Sequence, residues 1–197
     1  MHLKNNEIKD LFFSGILISL AFAILMSGGL ETLLKSNYVF IVAFSVAFFT
    51  AGIGFLLHEI MHKIVAQKYG YKSEFKAFYG MIFLALLFSL FGFIIAAPGA
   101  VMIQGRINNE KNGKIALAGP LTNIFLALIF LSLLIFVKND FISPFLKTGL
   151  TINSLLAAFN MIPTVPFDGG KVFAWNKKVY FVVTIISILL FLTTLFL

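Results

Sequence analysis

The sequence predicts an α-helical integral membrane protein, with about five transmembrane helices plus a re-entrant segment carrying a short β-strand, as a single domain over residues 1–197. Three observations lead there. Apolar residues make up 60% of the chain and its mean hydropathy is +1.00, more apolar side chain than a soluble core of this size can hide. Charged residues amount to 12% and cluster between apolar runs, as loops do between membrane helices. The distribution of Lys and Arg among those loops then favours one path of the chain through the bilayer.

Residues 11–28 are the first predicted span. Lys4 and Lys9 ahead of an apolar run also have the layout of a signal peptide, but no A-x-A cleavage site follows and another apolar helix starts soon after, so the run is expected to stay as a span. The second span covers 38–67 and ends among Lys63, Lys68, Lys72 and Lys76. Residues 77–105 are apolar, yet Gly80, Gly92, Pro98 and Gly99 interrupt them, and 98–103 reads as a turn leading into a short strand. Further spans are predicted at 114–137, 145–162 and 179–197, the first of them opening on Ala118, Gly119 and Pro120, small residues that allow close approach of a neighbour.

If residues 77–105 crossed the bilayer, the 15 basic residues would divide almost evenly. If they enter and return to one face, only Lys35, Lys138 and Lys147 lie opposite all the others. The positive-inside rule favours the second path, a multi-pass cell-membrane protein whose second span ends at the cytoplasmic face. The net charge of +7 is therefore read as topology. No basic patch interleaved with aromatics accompanies it, so no nucleic-acid partner is expected. Cys is absent, which removes disulfides, thiolate nucleophiles and Cys-based metal sites and leaves His and carboxylates as ligands.

The second span carries His58, Glu59 and His62 in an H-E-x-x-H run. Residues four apart project from one helix face, so the two imidazoles can share a tetrahedral Zn²⁺, and Glu59 can reach a water beside it as general base. At 1.5 Å per residue His58 lies on the order of 15 Å inward from Lys68, embedded but near one face. An ionised residue at mid-helix costs about 2.5 to 3.5 kcal/mol on insertion scales, which weighs against a chance occurrence. A catalytic zinc usually takes three protein ligands. Among the acidic residues Asp168 is the best candidate for the third, because Pro163, Pro166, Gly169 and Gly170 bend the backbone around it on the same side as the histidines. Asn123, taken alone, reads as a residue that binds neighbouring helices together.

These motifs carry a family resemblance. The H-E-x-x-H in a transmembrane helix, Gly119-Pro120 with Asn123 in a later one, and the segment from Asn160 to Asp168-Gly169-Gly170 resemble the site-2 protease family of intramembrane zinc metalloproteases, over roughly residues 50–175. The resemblance implies one zinc ion held by His58, His62 and Asp168, with Glu59 as the base. It implies substrate contact at Asn160 and, less directly, at Asn123. The segment 77–105 is similar in position to the family's re-entrant β element, though longer and more apolar, and no PDZ-like or other accessory domain is expected. The implied function is regulated intramembrane proteolysis, hydrolysis of a peptide bond within or near a transmembrane helix, with a membrane-protein substrate and the lipid bilayer as partners. The alternative is a catalytically silent zinc-binding scaffold that holds transmembrane clients. Glu59, costly in lipid and superfluous to a scaffold, is the residue that separates the two.

Overall fold

The computed structural model describes residues 3–29, 37–94 and 98–197. Residues 30–36 of the expected first loop, Lys35 among them, and residues 95–97 of the expected re-entrant segment lie outside the described residues. The chain is mostly helical with one small sheet: α1 (Asn5–Met26), α2 (Asn37–Ala47), a π turn (Phe48–Gly52), α3 (Ile53–Lys68), β1 (Ser73–Ala77), α4 (Tyr79–Ser89), β2 (Gly99–Ile103), α5 (Asn109–Phe136), α6 (Ser143–Asn160), α7 (Gly169–Trp175) and α8 (Lys177–Thr193). Among the described residues three helical paths are long and apolar enough to cross a membrane, Asn5–Met26, Tyr38–Lys68 and Asn109–Phe136. Their outward residues fit a lipid setting: Phe12 and Phe13 on α1, and Phe125 and Phe136 on α5, are exposed rings that water would penalise.

The chain divides into two compact units. The first comprises Met1–Leu56 and Glu74–Met102. Here α1 presents small residues to its neighbours: a Cβ on Gly52 would collide with the Ser19 hydroxyl, and one on Gly15 would lie 3.1 Å from Leu56 Cγ. Ala23, Ala43 and Ala47 pack together behind Phe22, Phe40 and Phe44. The π turn keeps α2 and α3 in one helical path, and Thr50 Oγ1 there donates to Val46 O at 2.7 Å.

Helix α1 starts at Asn5, ahead of the predicted span, because Glu7 has two backbone partners. Lys4 N–H donates to its Oε2 at 3.3 Å, an N-terminal cap, and Phe75 N–H on β1 donates to its Oε1 at 2.9 Å. Those bonds bury a carboxylate that the sequence places in a polar leader. Close by, Tyr79 Oη donates to Asp10 Oδ1 at 2.7 Å, and Leu11, Phe55 and Phe75 form the adjoining core. The expected strand at 98–103 is present as β2, and it pairs with a strand the sequence reading lacks, β1. Between them α4, at 11 residues, is about 16 Å long, well short of a bilayer crossing.

The second unit comprises Leu57–Ser73 and Ile103–Leu197. Gln104 N–H donates to Lys72 O at 2.9 Å. Asn108 caps α5 by accepting from Lys111 N–H at 2.8 Å, and Asn176 caps α8 by accepting from Val179 N–H at 3.1 Å. Ala116, Ile124, Leu150, Ala157, Val172 and Tyr180 form its core. Gly149 on α6 lies under the Phe130 ring of α5, where any side chain would collide with it. Three expectations change here. Pro120 sits inside α5 rather than at its start, since the helix begins at the Asn108 cap. Lys63 is buried in α3 with Nζ donating to Ser73 O at 2.8 Å, and is no loop charge. Gly169 and Gly170 open α7 without positive φ; Gly169 is needed because the Met161 carbonyl lies where a Cβ would be.

Candidate metal centre

The centre lies within the second unit. Helix α3 has no glycine or proline after Gly54 to interrupt it, and Lys68 in its last turn suits the helix dipole. His58 and His62 therefore stand one turn apart, ring centroids 4.6 Å from each other at 82°. Asp168 arrives from the bent segment after α6. Pro163 cannot continue that helix, and the turns close with Thr164 N–H on Ile162 O and Phe167 N–H on Thr164 O, both at 2.9 Å. Asp168 takes the N-cap position of α7, yet its carboxylate makes no cap hydrogen bond. It turns instead to the imidazoles: Oδ2 is 3.0 Å from His62 Nε2 and 3.3 Å from His58 Nε2, while Oδ1 accepts from Lys171 Nζ at 3.2 Å. All three residues are buried, and each offers one ligand atom within 4.8 Å of the others.

The far side of each ring explains which nitrogen faces the aspartate. His62 Nδ1 is 2.7 Å from Ile115 O, in the turn of α5 just before Pro120, and His58 Nδ1 is 2.5 Å from Asn123 Oδ1. A backbone carbonyl and an amide oxygen only accept, so both Nδ1 atoms carry the proton. In a neutral imidazole Nε2 is then a bare lone pair. Two such nitrogens converge within 3.3 Å of one carboxylate oxygen, which is the donor set of a cation.

Two further observations fit the same group. A Cβ placed on Gly119 would lie 2.5 Å from His58 Cε1 and would collide with both Nε2 atoms, so only glycine leaves the cradle open. Glu59 Oε2 is buried without a hydrogen-bond partner among the described residues, poised for a group the protein itself does not supply. The His58, His62 and Asp168 group fits zinc in ligand type and number.

Of the residues singled out in the sequence, the structure gathers His58, His62 and Asp168, buries Glu59 in the same turn of α3, and sets Asn123 against His58. Asn160 is half-buried at the end of α6 and returns its amide to Leu156 O at 2.9 Å, with no hydrogen bond to those residues. The sequence reading missed Gly119, Lys171 and Asn153 as parts of the centre. The only signals for them were a glycine in a quoted motif, a lysine three residues past Asp168, and a lone asparagine in an apolar helix.

Fold and site together define a mostly helical protein with helices of membrane-crossing length and a buried H-E-x-x-H group that fits a metal ion. The chain is 45% identical over 146 residues to the provisionally named zinc metalloprotease MJ0611 of Methanocaldococcus jannaschii, covering 73% of this chain and 76% of that one. It is 28% identical over 140 residues to the zinc metalloprotease MJ0392 of the same organism, and 30% identical over 130 residues to Rip3 of Mycobacterium tuberculosis, also provisionally named a zinc metalloprotease. The chain spans 35% and 29% of the length of those two. No protein-family profile matches the chain, and no solved structure matches it. This chain belongs to the family of zinc metalloproteases represented by MJ0611.

Proposed function

We propose that the protein is an intramembrane zinc metalloprotease of the site-2 type, cutting a peptide bond within or near a transmembrane helix of a membrane-protein substrate. The observation that carries the reading is the convergence of His58 Nε2, His62 Nε2 and Asp168 Oδ2 beside a helix turn that also holds Glu59, whose buried Oε2 has no hydrogen-bond partner among the described residues.

His58, His62 and Asp168 would hold one zinc ion, which when bound would supply Lewis acidity to a peptide carbonyl and to an attacking water. Glu59 accepts a proton from that water as its oxygen bonds to the carbonyl carbon, then passes the proton to the amine nitrogen as the C–N bond breaks. Asn160 is assigned to the substrate backbone. With an amide proton committed to Leu156 O, its oxygen suits a substrate N–H. Asn123, against His58 Nδ1, serves the histidine rather than the substrate in this reading. A substrate helix hides its peptide bonds in i to i−4 hydrogen bonds, so it unwinds before attack.

Five crossings are assigned, by α1, the path through α2 and α3, α5, α6 and α8, with β1, α4 and β2 as the re-entrant element. The shortness of α4 and the uneven placement of Lys and Arg support this path, with the end of α3 at the cytoplasmic face. β2 also offers an edge. The bonds from Phe78 N–H to Pro98 O and from Gln104 N–H to Lys72 O set an antiparallel register in which Val101 N–H points away from β1. The far edge of β1 is met by Glu7 at Phe75, so an unwound substrate strand would add to β2.

The test is cleavage of a transmembrane substrate by purified protein in liposomes, beside Glu59→Gln, with bound zinc measured in both. Cleavage is expected to fall by about 100- to 10,000-fold with zinc retained. Zinc in both proteins with no Glu59-dependent cut across several helical substrates would return the chain to the scaffold reading.

A further inference from the structure

His62 is oriented by a backbone carbonyl, which no side chain can reverse. His58 is oriented by Asn123, and an amide can be turned end for end. Were Asn123 reversed, its NH₂ would face His58 Nδ1, the proton would move to Nε2, and that nitrogen would donate to Asp168 Oδ2. His58 would then be tied to Asp168 and the centre would present one ligand too few. Something must hold the amide in its metal-ready sense.

The next link does so. Asn123 Nδ2 donates to Asn153 Oδ1 at 3.1 Å, and Asn153 Nδ2 donates to Gly149 O at 3.0 Å. The series ends on a carbonyl that only accepts, which fixes Asn153, then Asn123, then the His58 proton. Reversing Asn123 would set its oxygen against Asn153 Oδ1. Both asparagines are fully buried, so water cannot relieve that opposition.

We propose that Asn153 is a positioning residue for the metal centre: anchored on the Gly149 carbonyl, it acts through Asn123 to keep the proton of His58 on Nδ1 and Nε2 free as a ligand. Its consequence for zinc rests on the zinc reading above; the tautomer itself does not.

The test uses the full chain in detergent micelles with isotope-labelled histidine. NMR reads the His58 tautomer in metal-free protein, and chelator competition reads zinc affinity. Metal-free wild type is expected to show Nδ1–H at His58, and Nε2–H there would overturn the proposal without any variant. Asn153→Leu is expected to populate Nε2–H and weaken zinc about 10- to 100-fold, the usual effect of losing a ligand's outer partner. Asn153→Asp, whose carboxylic acid can donate to Gly149 O and accept from Asn123, is expected to keep both close to wild type. Asn123→Leu with Asn153→Leu is expected to bind zinc no more weakly than Asn123→Leu alone. An unchanged tautomer in Asn153→Leu, or fully additive losses in the double variant, would refute the relay. Wild type that showed Nδ1–H but bound no zinc would sink the zinc reading, while a tautomer change in Asn153→Leu would still support the relay.

Discussion

Replacing Gly119 by alanine probes the centre with one added methyl group. The new Cβ would start 2.5 Å from His58 Cε1, where ordinary contact begins at 3.4 Å, so α5 or the rings must yield by about 0.9 Å. Both Nε2 atoms lie on the same side of the intrusion, and neither ring can simply turn away, because their Nδ1 atoms are held by Ile115 O and Asn123 Oδ1. Metal–ligand distances tolerate deviations of only about 0.2 Å, so a shift several times larger should abolish tight zinc binding rather than soften it. The fold should survive, since overpacking by one methyl costs about 1 to 3 kcal/mol. Metal content per chain after dialysis against a weak chelator, with a thermal melt of the metal-free protein, separates the two effects. Gly119→Ala protein that melts near the wild-type temperature and retains stoichiometric zinc would refute the placement of the ion between the imidazoles and Asp168.

Lys171→Met removes the cation on Asp168 Oδ1 and is expected to weaken zinc by roughly tenfold in chelator competition, with Lys171→Arg restoring most of it. Val101→Pro deletes the outward N–H of β2 and is expected to lower cleavage of a transmembrane substrate while zinc content stays intact; unchanged turnover would remove strand addition from the mechanism. Glu7→Leu leaves Phe75 N–H without its acceptor in a buried setting. A loss of about 1 to 3 kcal/mol in denaturant unfolding is expected, with little change in zinc affinity measured on the folded protein.

The pieces legible in the sequence were those with short spacings or strong chemical cost. His58 and His62 share a helix face by spacing alone, and an acidic residue between two prolines and two glycines is bound to sit in bent backbone. The pairing of β1 was not legible. Five residues, Ser73–Ala77, alternate too briefly to stand out, and their partners are β2 and a carboxylate on α1, both distant in sequence. Pro120 misled because proline favours first turns, whereas here α5 already has a cap at Asn108 and continues through the proline. Lys63 misled in the same way: a lysine near a basic loop reads as solvated until the structure supplies the Ser73 carbonyl. Asn153 could not be told from any polar residue that joins two membrane helices.

The distribution of satisfied and unsatisfied groups around the centre sharpens its meaning. Each Nδ1–H has an oxygen within 2.7 Å, both asparagine amides are paired, and Asp168 Oδ1 has Lys171. These outer contacts come from two buried amides, a backbone carbonyl and the exposed Lys171 ammonium. Inside them the two Nε2 atoms converge on Asp168 Oδ2 at 3.3 and 3.0 Å, and Glu59 Oε2, alone of these atoms, has no hydrogen-bond partner among the described residues. The outer hydrogen bonds turn both Nε2 atoms and Asp168 Oδ2 toward one point, an arrangement that fits a cation in a low-dielectric interior.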